Sequence, residues 1–135
     1  MIIMGKRLCI YIIMCGVSVT ALTSCQESLE DKTAREAREF TAKKCPAVID
    51  AYRTVVDSMT FDRSTHTVHY YFTLGGTLAD NRKQEAYDKL LNVVKNSSDL
   101  KRYKDAGYAF AYTYHSSKDS GTVVFDAVFT PDDYR

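Results

Sequence analysis

Two runs of this chain alternate so strictly that each can be accommodated only as a strand with one buried face and one open face. In HTVHYYFTL, His66–Leu74, the residues Val68, Tyr70, Phe72 and Leu74 fall on one side, and Thr67, His69, Tyr71 and Thr73 on the other. In GYAFAYTYH, Gly107–His115, Tyr108, Phe110, Tyr112 and Tyr114 oppose Ala109, Ala111, Thr113 and His115. Side chains on a strand repeat every two residues, so a period of two with aromatics on one side predicts a sheet covered on that side alone. Each run has a neighbour of the same period. Upstream, Val55, Met59 and Phe61 share one face, with Asp57 as an exception, and Val56, Ser58 and Thr60 share the other; Asp62-Arg63-Ser64-Thr65 is turn chemistry. Downstream, Lys118-Asp119-Ser120-Gly121 turns the chain into Val123, Phe125, Ala127 and Phe129. Two hairpins are predicted.

The segments between them change period. Two capping patterns compete for the first helix start, Ser28 with Asp31 and Thr33 with Glu36. The helix runs to about Lys44, because Pro46 disfavours helical backbone at Cys45. Its apolar stripe, Ala37, Phe40 and Thr41, is narrow and suits one edge of a core. Thr77 with Asp80 opens a second helix over about Leu78–Lys95, whose Ala86, Tyr87, Leu90, Leu91 and Val94 recur every three or four residues. Ser98-Asp99 caps a short third helix that Gly107 closes. The order α-β-β-α-β-β predicts an α+β domain: a four-stranded, mostly antiparallel sheet with its helices packed on one face.

The N-terminus dictates compartment. Lys6 and Arg7 precede an apolar run of 15 residues, Leu8–Leu22, and Leu22-Thr23-Ser24-Cys25 follows. At 1.5 Å per helical residue that run is too short for a hydrocarbon core about 30 Å thick, but it has signal-peptide length. Leu22-Thr23-Ser24-Cys25 resembles the lipobox of bacterial lipoproteins, in which the cysteine thiol receives diacylglycerol before cleavage. The resemblance implies residues 1–24 as signal peptide, Cys25 as the lipidation site, residues 25–32 as a lipid-bearing tether and residues 33–135 as a single domain. Acylated Cys25 would hold the chain on a lipid bilayer without spanning it. Gln26 after the cysteine, in place of the aspartate some bacteria use for inner-membrane retention, favours the outer membrane over the inner.

Removal of residues 1–24 leaves 111 of the 135 and, by taking Lys6 and Arg7, moves the formal charge from +1 to −1. Mixed signs near neutrality argue against a nucleic-acid partner, whose affinity comes from clustered cations. Of the four cysteines, Cys9 and Cys15 leave with the signal peptide and Cys25 is acylated. Cys45 is left as a lone thiol, beside Pro46 and the apolar Ala47-Val48-Ile49; it is predicted to be buried and inert, the alternative being an intermolecular or reactive thiol.

Two stretches, Cys45–Leu74 and Leu100–Phe129, resemble an uncharacterised family of small exported bacterial domains in their Pro, Asp-Ser, Gly and Tyr-x-Tyr positions. The lipobox with a short domain is likewise similar to the lipoproteins of Bacteroidetes-type bacteria. These motifs specify turns and sheet faces. The family pattern also implies a cysteine near the C-terminus, where this chain has Pro131-Asp132-Asp133.

No constellation of catalytic residues is predicted. His66 and His69 have opposite parity on a strand, so no metal pair and no cofactor follow from them. Ser58, His69 and Asp57 can be grouped on paper, but no glycine frame surrounds the serine. Asp132 and Asp133 read as solvated loop charges. The predicted outer sheet face is sparsely charged and contains His69, Tyr71, Thr113 and His115, which are the candidate partner surface. The sequence therefore predicts a non-catalytic, lipid-anchored envelope module that binds another envelope protein. The alternative is a small hydrolase or ligand carrier using a cleft between the second helix and the sheet.

Overall fold

A computed structural model describes residues 27–135, of which Thr33–Arg135 forms a compact unit of its own. The proposed signal peptide and Cys25 lie outside the described residues. The described residues form a mixed α+β fold, with four helices and a five-stranded sheet.

Helix α1 spans Leu29–Lys44. The hydroxyl of Ser28 accepts the Asp31 N–H at 3.1 Å, so the first capping pattern is the one used, and residues 29–32 are helical. Glu30 and Asp31 in the first turn and Lys43 and Lys44 in the last complement the helix dipole. Thr33, Ala34 and Ala37 are its buried positions.

Strand β1 is only Ala47–Val48, followed by β2, Val55–Asp62, and β3, Thr67–Leu74. A 3₁₀ turn, Asp80–Arg82, leads into α2, Lys83–Asn96, and α3, Lys101–Asp105. Strands β4, Ala109–Ser116, and β5, Val123–Phe129, precede α4, Pro131–Tyr134. The strands lie in sequence order across the sheet; β3 and β4 are parallel, and every other pair is antiparallel.

Several details correct the sequence reading. The predicted four strands are five, because Ala47 and Val48 pair with Val56 and Val55; a two-residue strand is too short to show a period. A bulge at Asp57 shifts the register of β2 between Val56 and Ser58. Val56, at 6 % exposure, therefore joins Met59, at 7 %, on the inner face, while Val55 turns outward. A second bulge, at Val124, pairs Val123 with His115 on the outer face and leaves it 48 % exposed. The second helix begins later than predicted, since neither Thr77 nor any other side chain caps it. Asp133 is not a free loop charge: its carboxylate accepts the Thr130 N–H at 2.8 Å, completing a capping box with Pro131 in the first turn.

The inner face is an aromatic layer. Phe110 and Phe129 face each other across β4 and β5, both fully buried, and Val68 beside them is as well. The helices close this layer from one side: Phe40 of α1 meets Tyr70 edge-on at 6.4 Å, Tyr87 of α2 lies 5.0 Å from Phe129, and Tyr134 of α4 lies 5.8 Å from Phe110. The Tyr134 hydroxyl donates to the Tyr108 carbonyl at 2.8 Å, tying the C-terminus to the start of β4. Gly107, at φ 78°, ends α3 in the left-handed conformation that glycine adopts without strain.

The free side of β2 is shielded. The Thr41 hydroxyl donates to the Met59 carbonyl at 3.0 Å and accepts the Met59 N–H at 2.9 Å, standing where a neighbouring strand would. Thr41→Val keeps the shape and removes both bonds, and should lower stability by about 1–3 kcal/mol. Urea unfolding checks this; a change under about 0.5 kcal/mol would show that water replaces the hydroxyl there.

Candidate interaction surface

The helices cover one side of the sheet, and among the described residues no helix covers the other side. Its cross-strand rows are Thr60, His69, Ala111, Val128 and Ser58, Tyr71, Thr113, Asp126, with Thr73 and His115 adjacent in the next row. The four predicted residues thus share one face. The parallel register brings three of them into contact. His69 Nε2 is 2.7 Å from Thr113 Oγ1, and the His69 ring stacks on Tyr71 with centroids 4.1 Å apart and planes 18° from parallel. His115 lies beyond this cluster, beside Thr73. Below the cluster an open depression of about 670 Å³ is bounded by Thr60, Asp62, Arg63, Thr65 and Ala111.

Burial without a charged partner pushes the His69 pKa below its ordinary 6.5. The imidazole is then neutral at pH 7, and the cluster presents an uncharged, stacked, hydrogen-bonded surface. The unfolded chain takes up this proton more readily than the folded one. Stability should therefore hold level above the ordinary pKa and fall as pH drops through 6.5. His69→Gln should flatten that part of the profile, read as urea midpoints between about pH 8 and pH 5. Asp50 and Asp62, held below 3.8 mainly by hydrogen bonds from Thr54 and Ser64, act in a lower window.

The paper groupings do not assemble. Asp57 accepts the Thr73 hydroxyl at 2.7 Å, while His69 is engaged with Thr113. His66, at φ 52° in the turn before β3, stacks on Tyr108 at 5.3 Å, away from His69. Among the described residues no group of three His, Cys, Asp or Glu side chains is placed to hold a metal ion. Cys45 is half-buried instead of fully buried, and its thiol pKa is raised by burial and by the nearby Asp57 charge. It is accordingly a poor nucleophile. The inner-face tyrosines are also shifted upward: burial raises Tyr112, and raises Tyr114 to about 12.

A cleft does exist between α2 and the sheet. It holds about 230 Å³ and is lined by Ile49, Thr54, Leu74, Leu78, Leu90, Tyr114 and Phe125, with Asp50 and Lys89 at its rim. No histidine lines it, and the Asp50 carboxylate accepts the Tyr52 and Thr54 N–H groups, each at 3.0 Å. Its walls are held close. A Cβ on Gly75 would come within 2.2 Å of the Tyr52 carbonyl oxygen, so only glycine lets β3 end against the Asp50–Thr54 turn. The cleft could accept a small apolar group but has no converging acid and base.

Asp126 and Val128, at the open margin of the outer face, were not singled out by sequence. Their parity was legible, but their position at a sheet edge depends on strand order. Among the described residues no helix is long and apolar enough to cross a membrane.

The model of a domain of unknown function, DUF8479, matches residues 28–125. No curated protein matches the chain. Two solved structures share its fold. One is a Pseudomonas aeruginosa protein inferred to be secreted, with TM-score 0.62 and 14 % identity, the match covering 82 % of this chain and 100 % of that one. The other is the pilotin EpsS from the type 2 secretion system of Vibrio vulnificus, with TM-score 0.61 and 14 % identity, covering 79 % of this chain and 92 % of that one. At such identity the likeness is one of fold.

Proposed function

We propose, from the premise that this chain belongs to the DUF8479 family of domains of unknown function, that it is a non-catalytic envelope module. Acyl chains on Cys25 hold it at the outer membrane, and the outer face of its sheet docks another envelope protein. The observation that carries this reading is the locked trio His69, Tyr71 and Thr113 on an open sheet face. Four strands of about eight residues present some 500 Å², from strand spacing and rise. A standard interface needs about 800 Å² per partner, so the face with its rim loops is of the right order. Aromatic groups already fixed by stacking lose little entropy on binding. A secretion-system pilotin and a protein inferred to be secreted share the fold, which is in keeping with an envelope role.

The carrier reading is favoured by one observation, the apolar cleft beside α2. Its apolar part holds about 230 Å³ and an adjoining part beside Tyr52 and Thr77 about 330 Å³, which reaches ligand-site size, but the charges at its mouth, Arg82, Glu85 and Lys89, are paired with one another. The docking face is therefore preferred.

Pull-down from detergent-solubilised envelope tests the proposal. Thr113→Arg removes the hydroxyl facing His69 and sets a charge in the middle of the face; Tyr71→Ala removes the stacking partner. Each should reduce recovery of the partner about tenfold, the loss expected at a central contact. Both variants should retain wild-type circular dichroism. Unchanged recovery with both would overturn the reading.

A further inference from the structure

The two edges of the sheet are treated differently. On the β2 side, β1 pairs with Val55 and Val56, and Thr41 occupies both backbone groups of Met59. On the β5 side, no proline, lysine or glycine interrupts the seven residues Val123–Phe129. Natural edges are blunted by proline, lysine and other charges, or bulges; here the bulge at Val124 confines the regular edge to Phe125–Phe129.

The ladder fixes which β5 groups are open. Ala109 donates its N–H to the His66 carbonyl of the β3 side at 3.0 Å, and Ser116 donates to Thr122 on the β5 side at 2.9 Å. Backbone groups alternate in direction along a strand, so Phe110, Tyr112 and Tyr114 bond β5. Their partners Phe129, Ala127 and Phe125 are thereby satisfied. The N–H and C=O of Asp126 and Val128 point away from the sheet, and among the described residues no side chain or strand meets them. Both residues are exposed, Val128 at 55 %.

We propose that the β5 edge is a strand-addition site that takes an extended segment of a partner protein carrying a lysine or arginine opposite Asp126. Strand addition gains affinity from main-chain hydrogen bonds and specificity from alternate side chains. Here the specificity is electrostatic. Asp126 has no ion-pair or hydrogen-bond partner among the described residues and is the one charged residue of β5. A second copy of the chain fits poorly. Antiparallel β5 to β5 pairing through both outward residues centres on Ala127 and sets Asp126 opposite Val128, so a second copy brings no cation to Asp126. The inference rests on the outer-face reading, because a strand seated on β5 would lengthen the rows that contain Tyr71, Thr113 and His69.

The test uses the full-length chain in detergent and two capped seven-residue peptides of alternating threonine and valine, one with lysine at its centre and one with glutamate. The lysine peptide should slow amide hydrogen exchange at Asp126 and Val128 while leaving Ala127, already bonded to β4, unchanged. It should bind about fivefold to tenfold more tightly than the glutamate peptide. Asp126→Lys should reverse that preference. Val128→Pro, which removes an outward N–H and no ladder bond, should abolish protection by either peptide. Equal binding of the two peptides, or protection elsewhere, would overturn the proposal. So would protection that rises with protein concentration without peptide, which means a second copy, or protection lost on deleting residues 1–26, which means the chain's own segment. If Thr113→Arg still loses the envelope partner while Val128→Pro keeps it, the edge fails and the face reading stands.

Discussion

Phe129→Ala should lower the unfolding free energy by about 3–5 kcal/mol, the range for truncating a fully buried aromatic whose surroundings relax only in part. Phe129 is fully buried at the junction of three elements: it pairs with Phe110 of β4, lies 5.0 Å from Tyr87 of α2 and meets Tyr112 edge-on at 5.9 Å. None of these neighbours can close the void without dragging a helix or strand. Domains of this size are stable by only about 5–15 kcal/mol, so the variant would be near its threshold. At about 4–8 °C per kcal/mol, its melting temperature should fall by more than about 12 °C. Denaturant unfolding with an unchanged slope checks the free energy. A loss under about 1 kcal/mol would mean that α2 does not pack on β5 as described.

Cys25→Ala should abolish incorporation of labelled palmitate completely, while Cys45→Ala should leave it intact. The contrast matters because these are the two cysteines that remain once residues 1–24 are removed. Acylation needs an accessible thiolate in a small-residue segment, which Thr23-Ser24 provides for Cys25. The Cys45 thiol is half-buried, with its pKa pushed up. Each buried CH₂ contributes about 0.8 kcal/mol to membrane affinity, so two or more acyl chains on Cys25 would hold the chain on a bilayer. Label retained in Cys25→Ala, or lost in Cys45→Ala, would contradict the anchor.

Much of the fold was legible because β3 and β4 keep an unbroken period of two. Where the period breaks, sequence misled. Asp57 looked like an exception within one face, but it is the bulge that transfers Val56 to the inside and Val55 to the outside. Val123 was assigned inward because Val124 is an extra residue that sequence cannot reveal. Strand β1 carries too few residues to show a pattern, and the Thr130–Asp133 cap was hidden by a helix of only four residues. The choice between Ser28 and Thr33 as helix start was open because both patterns satisfy the same capping rule.

The candidate surface was legible to the same depth. Parity put His69, Tyr71, Thr113 and His115 on one face. The contact between His69 and Thr113 joins residues 44 apart in the chain and exists only because β3 and β4 run parallel. The exposed edge of β5 depends on strand order as well, and no local pattern encodes it.

The most direct test of docking through the outer face is photo-crosslinking in intact cells with benzoylphenylalanine placed at Tyr71, and in a second strain at Asn92, an exposed position on α2. The account predicts a discrete adduct with one envelope protein from position 71 and none from position 92. The same adduct from both positions, or an adduct from position 92 alone, would contradict it.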